Sequence, residues 1–106
     1  MYKRQAWYLG NPDPVNKDFV AAYKAKYNVD PDQFAAQAYS ALYILLDALK
    51  RTPAVTSVLH DKLRDQIELT TGVKTPLGEF SFNASHDVSQ KVYVVQIKNG
   101  VFTQIN

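Results

Sequence analysis

Ser85, His86 and Asp87 stand side by side, a hydroxyl, an imidazole and a carboxylate, the three side chains that nucleophilic acyl transfer uses. Neighbours on one loop cannot build that relay, because the base must reach the nucleophile on one side and the orienting acid on the other. The tripeptide therefore reads as a polar turn between strands. His60, the other histidine, lies between Leu59 and Asp61 in a helical pattern with no second ligand at helical spacing, which favours a helix-surface residue over a metal ligand. The stretches "NASHD" at 83–87 and "DPDQ" at 30–33 offer oxygens but neither the alternating ligand set nor the distal bidentate Glu that calcium requires. "YKAKY" at 23–27 interleaves aromatic and basic residues in a way that could suit single-stranded nucleic acid. Tyr23 and Tyr27 are one helical turn apart and face inward, however, so Lys24 and Lys26 read as a solvated helix back. No glycine-rich phosphate loop is present, and with no cysteine in the chain, disulfides, thiolate metal sites and a Cys nucleophile are excluded. The residues carry no enzyme signature, imply no cofactor or metal, and predict no nucleic-acid partner.

The elements that would position a site are those of an ordinary globular chain. It has 106 residues, 46% of them hydrophobic and 21% charged, which suits one domain or less. The formal net charge of +2 comes from twelve basic and ten acidic residues spread without runs, so neither a polyanion nor a membrane surface is implied. No stretch approaches the roughly 18–20 apolar residues of a membrane helix. The opening "MYKRQAWYLG" lacks the apolar run of a secretory signal. Its first five residues match the translation of a common sequencing adapter, so residues 1–5 are expected to be a foreign leader and 6–106 the domain segment proper.

Turn residues crowd "GNPDPVN" at 10–16, after which Phe19, Val20, Tyr23 and Tyr27 share one helical face, predicting a helix from about Lys17 to Tyr27 with Asn16 as its N-cap. In "NVDPDQF" Asp30 is placed to cap a second helix, with Pro31 at the first helical position and Gln33 at capping-box spacing. This second helix should run to about Lys50. Gln37, Ser40 and Asp47 fall in one narrow sector of it and nearly everything else is apolar, which predicts burial on almost all sides. "TPAV" breaks the chain before Thr56 or Ser57 can cap a third helix, striped by Leu59, Leu63 and Ile67 and ending before Gly72. The period then changes to two, with Phe80 and Phe82 on one side of a strand and two further strands around Asn99-Gly100, the dipeptide of type I′ hairpins. Three helices and three strands cannot cover a helix that is apolar on most of its circumference, so the segment is expected to be incomplete.

In this order the signals resemble the periplasmic solute-binding proteins of branched-chain amino acid ABC transporters, the type I Leu/Ile/Val-binding family. The resemblance covers nearly everything after residue 6. It rests on the F-x3-Y-x3-Y helix of Phe19, Tyr23 and Tyr27 before Asp30-Pro31, on the A-Y-S-A of Ala38 to Ala41, and on T-P-L-G-x-F-x-F at Thr75 to Phe82 leading to an Asn-Gly hairpin. Ser85-His86-Asp87 departs from the family's usual Gly-Asp turn and touches only a surface loop.

The resemblance implies an α/β fold class, here a partial lobe of the type I fold: three helices followed by a three-stranded β segment. The complete protein would have two lobes that close on a small ligand. It further implies a non-enzymatic, periplasmic protein whose partners are an amino acid or similar small molecule, an ABC permease in the membrane, and the N-terminal part of the same chain. Phe34 is expected to be an apolar wall of the ligand site, and Gln37, one turn on, a polar rim contact. Two alternatives stand beside this: a ligand-sensing regulatory domain of the same fold, and a self-contained interaction domain of three helices on a hairpin sheet.

Overall fold

The structure is a computed structural model that describes residues 1–53 and 59–105. Along the chain run β1 (Tyr2–Gln5), α1 (Pro14–Tyr27), α2 (Gln33–Arg51), α3 (Leu59–Glu68), β2 (Val73–Thr75), β3 (Gly78–Phe82), β4 (Val88–Ser89), β5 (Tyr93–Lys98) and β6 (Val101–Gln104).

The helix starts differ from the sequence expectation by two or three residues, for identifiable reasons. Asp13, not Asn16, caps α1 by accepting a hydrogen bond from Val15 N at 2.9 Å, and Pro14 takes the first position, where its missing N–H costs nothing. Asn16 is freed for a buried role. Asp32, not Asp30, caps α2 by accepting from Ala35 N at 2.8 Å, while Asp30 pairs with Lys24 at 3.0 Å. α1 ends on Asn28 in the left-handed region, whose N–H donates to Lys24 O at 2.8 Å. The expected caps of α3, Thr56 and Ser57, lie outside the described residues.

The strands form two sheets rather than one. β2, β3 and β4 make one antiparallel sheet in that order, and β1, β5 and β6 make the other. The expected three-stranded segment is divided because β4 returns along β3, pairing Phe82 with Val88, before the chain leaves for β5. There β5 takes β1 as its second neighbour, Tyr2 opposite Gln96 through Gln5 opposite Tyr93. The β5–β6 hairpin turns on Asn99 (φ 52°) and Gly100 (φ 77°), the two left-handed residues a type I′ turn demands.

α2 buries its polar sector, where the sequence predicted only that the helix would be covered on almost all sides. Its covered stripe is Ala36, Ser40, Ile44 and Ala48, spaced four apart, and Gln37 and Asp47 beside it are half-buried. The polar sector thus faces inward. It can do so because Ser40 Oγ donates to Ala36 O at 2.7 Å and Asp47 holds Arg51 at 2.9 Å, while two alanines let β2 and α3 approach closely. Leu42, Leu45, Leu46 and Leu49 form the opposite stripe and stay 40–53% exposed. This helix is not enclosed on all sides by the described residues. In α1, likewise, Phe19 is buried and Tyr23 half-buried, but Tyr27 is exposed, its ring tilted against Tyr23 at 4.7 Å between centroids and facing the Lys26 ammonium at 5.4 Å.

Two cores result. Trp7, Phe19, Ala36 and Leu77 form one, between the helices and the β2–β3 turn; Tyr8, Tyr93 and Val95 form the other, on the β1–β5–β6 sheet. The extensive contacts between elements sort the same way, with α1, α2, α3 and β2 to β4 in one body and β1, β5 and β6 in the other. The radius of gyration is 16.0 Å, against about 13 Å for a compact domain of this length, and the long axis is 54 Å.

Candidate functional site

Phe34 sits in the first turn of α2, two residues past the Asp32 cap. Being 75% exposed, it contributes little to either core. Gln37 lies one turn later and is half-buried. It lines a hollow of about 380 Å³ with Ser40, Leu77, Phe80, Phe82 and Gln90, between α2, α3 and the β2–β3–β4 sheet. Phe34 is outside that hollow. The two expected site residues therefore share one helix end, Phe34 presenting an apolar ring to the outside and Gln37 an amide at the rim of an apolar recess.

A second groove, of about 460 Å³, runs between α1 and α2 and is lined by Phe19, Tyr23, Tyr27, Ala35, Tyr39 and Leu42. Its aromatic rings form a continuous ladder, Tyr27 to Tyr23 at 4.7 Å, Tyr23 to Phe19 at 5.9 Å, Phe19 to Tyr39 at 4.8 Å and Tyr39 to Tyr43 at 4.6 Å. The phenol of Tyr39 is pushed up to about 12, first by hydrogen bonding to Tyr43 and then by burial.

A polar recess of about 670 Å³ lies where the two bodies meet and is lined by Asn11, Asp13, Glu79, Ser81, Lys91 and Tyr93. Asn11 Nδ2 donates to Tyr93 Oη at 3.0 Å along this wall. Sequence reasoning missed these residues. "GNPDPVN" shows only turn chemistry locally, and nothing in it signals that Asn11 meets a tyrosine 82 positions on.

Ser85, His86 and Asp87 form the turn expected of them. Asn83 Oδ1 accepts from Ser85 N and Asp87 N, each at 2.9 Å, and His86 faces Glu68 at 3.1 Å rather than Ser85 or Asp87. His60 is exposed. Among the described residues no group of three His, Cys, Asp or Glu side chains could hold a metal ion, and no helix is long and apolar enough to cross a membrane.

With this geometry the chain resembles several solved proteins. It is 30% identical to a putative branched-chain amino acid ABC transporter protein from Rhodospirillum rubrum, covering 98% of this chain and 30% of that one with a TM-score of 0.81. It is 26% identical to a leucine-binding protein from Thermotoga maritima, over 100% of this chain and 30% of that one, TM-score 0.82. It is 25% identical to an ABC-transporter solute-binding protein from Rhodopseudomonas palustris solved with 3,4-dihydroxybenzoic acid, over 99% and 29%, TM-score 0.78. A comparison with curated proteins gave no significant match. The class these similarities define is that of the solute-binding proteins of ABC transporters, which bind their ligands rather than transform them. The chain belongs to the periplasmic binding protein family, whose sequence model matches residues 1–101. It spans about 30% of the length of these solved structures.

Proposed function

We propose that these residues form part of the ligand-capturing body of an extracytoplasmic solute-binding protein that delivers a branched-chain or related amino acid to an ABC permease. The observation that carries the reading is the family match over residues 1–101, with 30% identity to the Rhodospirillum rubrum protein. The open leucine stripe of α2 supports it, since a stripe of that size on a water-borne protein is covered by something, and in relatives of which this chain spans only 30% the remaining residues are available to cover it. The ligand class is a small carboxylate with an apolar body, a description that fits both leucine and 3,4-dihydroxybenzoate, which the relatives' names record. Phe34 serves as the apolar wall against that body and Gln37 as the polar rim.

Calorimetric titration of the complete protein with leucine, isoleucine, valine and dihydroxybenzoate tests this. One of them should bind, and Phe34→Ala should weaken it about tenfold or more while leaving thermal stability unchanged, because so exposed a ring holds up no core. No binding, or an unchanged affinity in Phe34→Ala, overturns the reading.

A further inference from the structure

Asn99 is the one asparagine of this chain that precedes a glycine. The pair sets an electrophile, the side-chain carbonyl carbon of Asn99, beside a nucleophile, the Gly100 nitrogen, which has no neighbouring Cβ to hinder its approach. Both residues are exposed, and nothing lies within 4 Å of where a Cβ on Gly100 would stand. The hairpin register pairs Lys98 with Val101 and leaves the two turn residues outside the ladder. Closing a ring between them requires the turn to relax. The four-residue β6 sits at the edge of its sheet with Val101 63% and Phe102 38% exposed, so local opening there costs far less than global unfolding.

The other described asparagines lack one or more of these features. Asn16 is 1% exposed, with its amide spent on Leu9 O and Asn11 O. Asn11 is 5% exposed and precedes proline, and Asn83 holds Ser85 N and Asp87 N on its Oδ1. Asn28 is the informative comparison, because it is exposed and left-handed at φ 59° against 52° for Asn99. Its successor is Val29, whose branched side chain crowds the attacking nitrogen.

We propose that Asn99 is a site of spontaneous covalent ageing, converted to aspartate and isoaspartate through a cyclic imide. The Gly100 nitrogen forms a bond to Asn99 Cγ, the Cγ–Nδ2 bond breaks, and the Gly100 amide proton leaves with Nδ2 as ammonia. Water then opens the ring at either carbonyl. Both products carry a carboxylate beside Lys98 and lower the formal net charge of +2 by one. Isoaspartate also routes the main chain through Cβ, adding a carbon to a turn whose two left-handed residues already close the hairpin tightly. The result is release of β6 from β5, and with it Gln104, whose Oε1 accepts from Tyr8 Oη at 2.6 Å. The inference stands on the turn and its strands, and does not depend on which solute is carried.

Holding the purified complete protein, folded, in mildly alkaline buffer made with heavy-oxygen water tests this, because ring opening stamps the label on the product. Peptide mass mapping should find the label at Asn99, with isoaspartate confirmed by methyl transfer from S-adenosylmethionine, and at least about tenfold less at Asn28. Asn99→Gly, which keeps the turn, should abolish the label there, and Gly100→Ala should slow its appearance at least about tenfold. The aged form, separated by its changed charge, should exchange amide hydrogens at least about tenfold faster over residues 101–104 than the parent, with α1 and α2 unchanged. Folded protein that stays unlabelled while its denatured chain reacts overturns the proposal, as does equal label at Asn28 or unchanged exchange over β6.

Discussion

The indole N–H of Trp7 donates to Oδ1 of Asn16, and both residues are almost wholly buried, at 4% and 1% exposure. The Asn16 amide also donates to Asn11 O at 2.9 Å and to Leu9 O at 3.3 Å, so one side chain satisfies a donor and two acceptors of the segment before α1. Asn16→Ala leaves those groups unpaired in a site closed to water, and should cost about 2–4 kcal/mol in urea unfolding of the protein. A loss below about 1 kcal/mol would mean that water reaches them.

The inward polar sector of α2 gives a paired test. Ser40→Glu places a carboxylate at a 1% exposed position and should cost about 3–5 kcal/mol. Leu46→Glu, at 40% exposure on the opposite stripe, should change stability of the isolated chain by no more than about 0.5–1 kcal/mol and reduce its binding of hydrophobic dyes. If the two substitutions exchange behaviour, the helix is rotated by half a turn from the orientation described.

Tyr39 couples stability to alkaline pH. Its folded-state value near 12 lies above the ordinary phenol value of 10, so the unfolded chain loses its proton first as pH rises. The stabilising contribution is complete below pH 10 and is lost as pH climbs from about 10 to about 12. A pH series of chemical denaturation should show that decline, and Tyr39→Phe should remove the Tyr39 component of it while leaving the profile below pH 10 parallel to the parent.

At the β5–β6 turn Gly100 has φ 77° with nothing near its Cβ position, so a substitution meets backbone strain and no steric clash. Gly100→Val should cost about 1–2 kcal/mol in thermal unfolding, whereas Asn99→Gly, at φ 52°, should cost only a few tenths. Equal costs would point to a different turn type.

What could be read from the sequence was local. The Asn99-Gly100 hairpin, the existence of three helices and the turn role of Ser85 to Asp87 each depend on residues within a few positions of one another, and all are present in the structure. The capping residues slipped by two or three positions because "NPDPVN" and "DPDQ" each contain competing acceptors, and the choice between them is made by what Asn16 and Asp30 do elsewhere. The orientation of α2 was illegible for a different reason. Angular periodicity separates a polar face from an apolar one but does not say which is covered, and here Ser40 could turn inward only because Ala36 O was available to it. The pairing of β1 with β5 and of Asn11 with Tyr93 joins distant parts of the chain, and short-range pattern carries no record of such meetings. Phe34 and Gln37 do lie at one helix end, as their spacing requires, but their exposure to a ligand was implied by family resemblance and not by residue type.

The pairing of Tyr2 with Gln96 has a consequence for synthesis. On the ribosome β1 emerges long before β5 is made, so this pairing cannot form until the helices between them have been synthesised. Long-range pairing of that kind is the slow step in folding and the one most open to misassociation. The order of events should therefore be helices first and the terminal sheet last, with nascent chains halted before residue 93 offering the time window in which a chaperone has most to do.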